Sequence, residues 1–275
     1  MPYKLLALAL DGTCFGEDLV PSPRTLAALA AARSAAGVTL TLATGRTFAA
    51  TRPFADLLGA DGPLICYQGA WVRDAAGATL LHRTVPRPIA AEVVTMARAA
   101  GWQCNLYIAD QAYVEAFRPE ADIYFQLNRN TPPVVVPDLA ALARETPQEP
   151  TKLVLVLPAE PDTDACVRAI AARFGDAIYT TKSHARFAEV VHPAVDKGAA
   201  LAAVAAHLGV PQAETMAVGD GMNDLPMLRW AGLGVAMGQA HADIRAAADV
   251  VTAPLAEDGL AQAIERWVLR GGIGG

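Results

Sequence analysis

Lys4-Leu5-Leu6-Ala7-Leu8-Ala9-Leu10-Asp11-Gly12-Thr13 opens as an unbroken apolar run and closes in an acidic turn. A run that is apolar at every position belongs to a strand covered on both faces, and such strands occur in parallel sheets flanked by helices. Asp11-Gly12 marks the turn at the strand's carboxyl end. The next segment continues the pattern. After Pro21, Ser22 is placed to cap a helix with Pro23 at its first position; Leu26, Leu29 and Ala30 form the apolar stripe, and Gly37 closes it. Residues 38–43 and 63–67 then read as the second and third strands.

From residue 84 to residue 192 the pattern changes. Helical segments at 89–100, 138–145 and 162–173 are interleaved with strand-like 104–108, 152–157 and 186–191, among Pro132, Pro133, Pro137, Pro147 and Pro150. After Asp196 a helix over 198–208 and strands at 216–218, 233–236 and 250–251 restore the first pattern. The expected fold class is α/β: a doubly wound parallel sheet built from residues 1–83 and 193–275, with an inserted α+β domain over 84–192.

Composition narrows the function. Of 275 residues, 53% are hydrophobic and 18% charged, which suits an ordinary globular chain. A net charge of −6 and the lack of a basic stripe argue against nucleic acid as a partner. No apolar run reaches the roughly 20 residues that cross a bilayer, and Met1-Pro2-Tyr3-Lys4 leads straight into the first strand, so a cytoplasmic protein is expected. Cys14, Cys66, Cys104 and Cys166 show no C-x-x-C pairing and read as buried thiols. The four tryptophans, Trp71, Trp102, Trp230 and Trp267, read as packing residues.

Four short motifs fall at the ends of predicted parallel strands, where open α/β sheets bind ligands: Ala9-Leu10-Asp11-Gly12-Thr13, Ala43-Thr44-Gly45-Arg46, Asp196-Lys197-Gly198 and Gly219-Asp220-Gly221-Met222-Asn223-Asp224. Each alone has a plain structural reading, as a turn, a strand-to-helix connection, a first-turn lysine or a helix cap. Their order and spacing together resemble the haloacid dehalogenase superfamily of phosphatases. The long insert, Ile65-Cys66-Tyr67-Gln68-Gly69 and Glu257-Asp258-Gly259-Leu260 resemble its Cof-like subclass, whose members carry a large α/β cap there. Gln68 departs from that pattern, since many relatives have Asn.

The resemblance implies roles. The family motif is Asp-x-Asp-Gly-Thr, its first Asp attacks phosphorus to give an aspartyl-phosphate, and here that position is Ala9. Asp11 would be the general acid and base, Lys197 the fixed cation, and Thr44 with the Gly45 amide the donors to a phosphoryl oxygen. Asp11, Asp220, Asn223 and Asp224 would hold Mg²⁺, a hard ion that prefers oxygen. Arg46 and Gln68 from the core, and Lys182 and Arg186 from the insert, would contact the substrate. Arg129 and His184 are further candidates, although a solvated face is the commoner explanation for such insert residues.

The implied activity is Mg²⁺-dependent hydrolysis of a small phosphorylated metabolite, a sugar phosphate or a cofactor phosphate, by a monomer or homodimer. Ala9 disables it. An engineered substitution in a working phosphatase is the favoured explanation, because every other motif residue is present. A natural pseudophosphatase that binds without hydrolysis, and a phosphomutase, are the alternatives.

Overall fold

The computed structural model of the chain describes residues 3–116 and 132–270. The apolar run forms β1 (Leu5–Ala9), buried throughout. It joins β2 (Thr39–Ala43), β3 (Leu64–Cys66), β4 (Trp71–Arg73), β5 (Thr79–His82), β12 (Thr215–Gly219), β13 (Leu233–Ala236) and β14 (Val250–Val251). Among the described residues these make an eight-stranded sheet in the order β14-β13-β12-β1-β2-β3-β4-β5. Pairing is parallel from β14 to β3, and β4 runs antiparallel to β3. Leu5, Ala7 and Ala9 pack on one face with Leu201, Val204, Met227 and Leu228, while Leu6 and Leu8 on the other face are equally buried. Burial on both faces is the physical reason for the continuous apolar run.

Helix α1 (Pro23–Ala36) starts where Ser22 accepts a hydrogen bond from the Thr25 amide, and ends at Gly37 in the left-handed region (φ 64°). Helix α2 (Phe48–Leu58) follows β2. The fold class is as the sequence implied: a doubly wound α/β core and a second sheet. The antiparallel edge, β4 and β5, had no counterpart in the sequence reading, because strands of three and four residues are too short to show a period.

The second sheet contains β6 (Gln103–Ile108), β7 (Gln111–Val114), β8 (Val134–Val135), β9 (Lys152–Val156), β10 (Tyr179–His184) and β11 (Phe187–Val191), in the order β10-β11-β9-β6-β7-β8. Leu106, Leu153, Leu155, Ala188 and Val190 pack against α3 (Arg87–Ala100), α4 (Leu139–Glu145) and α5 (Glu160–Phe174). By strand alternation Gln103, Asn105, Tyr107, Lys152 and Glu189 lie on the opposite face, and all five are buried. Lys152 Nζ is 3.1 Å from Glu189 Oε2 and 5.6 Å from the centroid of the Tyr107 ring.

By their contacts the described residues fall into two compact units. One spans Arg46–Ala50 and His82–Val195; the other takes the remaining segments. The short Arg46–Ala50 segment belongs with the second sheet, where the Asp110 carboxylate accepts from the amides of Phe48 (2.8 Å) and Ala49 (2.7 Å). All four cysteines are buried and unpaired. Among the described residues no helix is long and apolar enough to cross a membrane.

Candidate functional site

Ala9 ends β1 in register with Ala43 of β2 and is 3% exposed. The chain then turns tightly, with the Cys14 amide donating to the Leu10 carbonyl (2.8 Å) and the Gly12 amide to the Phe15 carbonyl (2.9 Å). Gly12 is at φ 77°, and a Cβ there would lie 2.0 Å from Asp220 Oδ2, so neither the conformation nor the space admits a side chain. Thr13 Oγ1 donates to Asp220 Oδ1 (2.8 Å), tying this turn to the end of β12.

At the end of β12 the carboxylate of Asp224 organises the loop. Its Oδ2 accepts from the amides of Asp220 (3.0 Å) and Gly221 (2.8 Å), and its Oδ1 from Lys197 Nζ (2.5 Å). Lys197 is the first residue of α6 (Lys197–Leu208), whose N-cap Asp196 accepts from the Ala199 amide. Lys197 and Asp224 are both buried, and pairing offsets the cost of taking either charge out of water. At the end of β2, buried Thr44 accepts at its carbonyl from the Gln68 amide (2.9 Å). Gln68 sits in the left-handed region (φ 60°), and its Oε1 accepts from Asn223 Nδ2 (2.7 Å).

Ala9, Asp11, Thr44, Gly45, Gln68, Lys197, Asp220, Asn223 and Asp224 are therefore gathered at neighbouring strand ends of the first unit. Arg46, Lys182 and Arg186 belong to the second. Arg46 is buried. Lys182 is exposed, with Nζ 2.9 Å from both Glu160 Oε1 and Asp164 Oδ1. Arg186 Nε donates to the Leu157 carbonyl (2.9 Å). His184 ends β10, and Arg129 lies outside the described residues.

Three supporting residues carried no role in the sequence reading. Thr13 lies inside the first motif, yet its hydrogen bond to Asp220 spans more than two hundred residues. Gln239 donates from Nε2 to the Gly12 carbonyl (2.6 Å) and accepts at Oε1 from the Leu255 amide (3.0 Å), with no local signal to mark it. Cys14 Sγ donates to the Ala9 carbonyl (3.1 Å).

Burial pushes the Asp220 carboxyl up to about 6; the nearby Asp224 and Asp11 charges act the same way, and the Thr13 hydrogen bond and Lys197 oppose them. Burial, then the charges of Asp11 and Asp220, push the Cys14 thiol far above its ordinary value. It stays protonated and inert.

A hard divalent ion needs several oxygens with lone pairs to spare. Asp224 spends one oxygen on Lys197 and the other on two amides, whereas Asn223 donates from its amide nitrogen to Gln68 and keeps its Oδ1 lone pairs. Among the described residues no three His, Cys, Asp or Glu side chains are grouped to hold an ion. With Ala9 at the strand end, the donor set lacks the carboxylate that an Asp at that position would supply.

A profile of the haloacid dehalogenase-like hydrolases matches residues 6–264, and the chain belongs to that family. The 5-amino-6-(5-phospho-D-ribitylamino)uracil phosphatase YitU of Bacillus subtilis is 28% identical over 285 residues, covering 97% of each chain. The pyridoxal phosphate phosphatase YbhA of Escherichia coli is 29% identical over 273 residues, covering 96% of this chain and 98% of that one. The crystal structure of a haloacid dehalogenase-like hydrolase from Bacteroides thetaiotaomicron superposes with a TM-score of 0.86 at 27% identity, over 96% of this chain and 99% of that one.

Proposed function

We propose that this chain is the frame of an Mg²⁺-dependent phosphomonoesterase for a small phosphorylated metabolite, a sugar phosphate or a cofactor phosphate, with its nucleophile position disabled. One observation carries the reading. A methyl group, Ala9, ends the central strand, while the groups that would grip and protonate a phosphate ester stand linked around the neighbouring strand ends. A methyl group has no lone pair with which to attack phosphorus. The phosphatases among the relatives, acting on a phosphoribityl compound and on pyridoxal phosphate, support this substrate class.

In this reading Asp11 is the general acid and base. Lys197, held by Asp224, presents a fixed positive charge, and Thr44 and the Gly45 amide donate to a phosphoryl oxygen. Arg46, Gln68, Lys182 and Arg186 contact the rest of the ester. A carboxylate at position 9 would add the oxygens that the donor set of Asp11, Asp220, Asn223 and Asp224 lacks, so the metal site and the nucleophile are lost together. The motif residues other than Ala9 favour a substituted phosphatase over a natural binding protein, because a chain released from catalysis has no reason to keep them.

The test is to restore the carboxylate with Ala9→Asp and assay both proteins on a panel of phosphate esters with Mg²⁺. Release of inorganic phosphate by the restored form alone is the expected result. Transfer of phosphate between positions of one sugar would identify a phosphomutase instead. Inactivity of the restored form on every ester, with ligand binding retained, would identify a binding protein.

A further inference from the structure

An open cavity of about 640 Å³ lies on the first unit beside the edge strand β14. Its wall includes Arg24 from the first turn of α1, Val251, and Glu265, Arg266, Trp267 and Arg270 from the final helical segment. None of these belongs to the strand-end cluster. The segment Ile264–Leu269 is wound as a π-helix, with the Arg270 amide donating to the Glu265 carbonyl (3.1 Å). Such turns are rare, and they recur at functional sites.

The charges on this wall are uneven. Glu265 is the one carboxylate among the described lining residues, and Arg24 takes it with both Nε (3.0 Å) and Nη2 (2.8 Å). Among the described residues neither Arg266 nor Arg270 has a carboxylate within ion-pair distance, although the Arg270 charge helps, after the Arg24 hydrogen bond, to hold the Glu265 carboxyl below its usual range. Three guanidiniums against one carboxylate reverse the local sign in a chain of net charge −6, so the cavity attracts anions. It also has an aromatic surface. The Arg266 guanidinium carbon lies 5.0 Å from the centroid of the Trp267 ring, and Val251 is 46% exposed on the same wall. A guanidinium over the face of an indole offers a cationic and aromatic surface to a flat ring. A volume of several hundred Å³ suits a small organic ligand.

We propose that this cavity binds a heteroaromatic phosphate of the nucleoside monophosphate class, at a site separate from the strand-end cluster. Arg266 and Arg270 take the phosphate, where planar forks give bidentate contact. The base lies against Trp267 and Val251. Trp267 is then a ligand platform, where the sequence suggested a packing residue.

Titration calorimetry with adenosine monophosphate, adenosine and inorganic phosphate tests this on the full chain and on Arg266→Ala/Arg270→Ala. Both arginines are exposed, so the double variant should keep the parent's melting temperature. The expected result is a nucleotide site that the double variant weakens at least about tenfold, or 1.4 kcal/mol, whether or not the strand-end cluster also takes up the nucleotide, with adenosine and inorganic phosphate each binding more weakly than the nucleotide at the site that the double variant affects. Nucleotide affinity unchanged in the double variant, or no nucleotide binding at millimolar concentration, would overturn the proposal. At the site that the double variant weakens, inorganic phosphate binding as tightly as the nucleotide would overturn the aromatic part, and adenosine doing so would overturn the phosphate part.

Discussion

At the scale of single residues, position 9 matters most. Ala9 ends the central strand next to β12, and Asp220, just beyond β12, already shares its surroundings with Asp224 and Asp11. Restoring the carboxylate by Ala9→Asp should raise phosphate-ester turnover by several powers of ten, because a covalent nucleophile is worth on the order of 5 to 8 kcal/mol of transition-state stabilisation. Equal kcat for the two proteins at matched Mg²⁺ would point to another nucleophile. The same substitution adds a negative charge to an acidic neighbourhood, where like charges repel. In chelator the Ala9→Asp protein should therefore melt no higher than the chain with alanine, by calorimetry at neutral pH, and a clear rise would speak against an acidic cluster at these strand ends.

At the scale of elements, two features of the second sheet set its stability. Lys152 on β9 and Glu189 on β11 are a buried pair on the face away from the helices. Lys152→Met would leave Glu189 buried without its partner, at a cost of about 3 to 5 kcal/mol. Lys152→Met/Glu189→Leu should recover most of that loss in urea denaturation, and a double variant no more stable than the single one would show the pair to be worth more than its desolvation. The second feature is the end of β7. Glu115 accepts from Arg98 of α3 and from the Leu139 amide that begins α4 (2.9 Å). The Arg98 hydrogen bond holds the Glu115 carboxyl below its usual range, with the Leu139 amide contributing in the same direction. A carboxyl depressed in the folded state adds stability above its unfolded value and loses it as pH falls through the folded one. Glu115→Gln should accordingly melt lower than the parent at pH near 6, and the difference should close as pH is taken below about 4; a gap constant with pH would assign the effect to shape instead of charge.

At the scale of the whole molecule, the proposed function divides labour between the two units. The strand-end cluster of the first offers groups that any phosphate ester would engage, so discrimination has to come from contacts to the leaving group. We assign these to the second unit. In the Ala9→Asp background, Lys182→Ala and Arg186→Ala should change the ranking of phosphate esters by kcat/KM while leaving inhibition by inorganic phosphate nearly unchanged. The larger effect is expected from Arg186, because Glu160 and Asp164 already neutralise the Lys182 ammonium. A uniform loss across all esters would place these residues in the phosphate site or in the scaffold.

The sequence by itself determined the central strand, the capped helix after it, the doubly wound class with a second sheet, and the family. These follow from signals that act over a few residues: an apolar run, Ser22 before Pro23, Gly37 after Ala36, and turn residues at strand ends. Only the tertiary structure decided the rest. The polar stretch Tyr179–His184 became a strand because β11 supplies its hydrogen bonds, and no period in its own residues announces that. Lys152 and Glu189 look like surface charges in the chain and are core residues in the fold. Thr13 finds Asp220, and Gln239 reaches Gly12, across more than two hundred residues. The physical reason is range. Caps and apolar periods are satisfied by neighbours in the chain, whereas a long-range hydrogen bond leaves no mark on the composition around either partner until folding brings the two together.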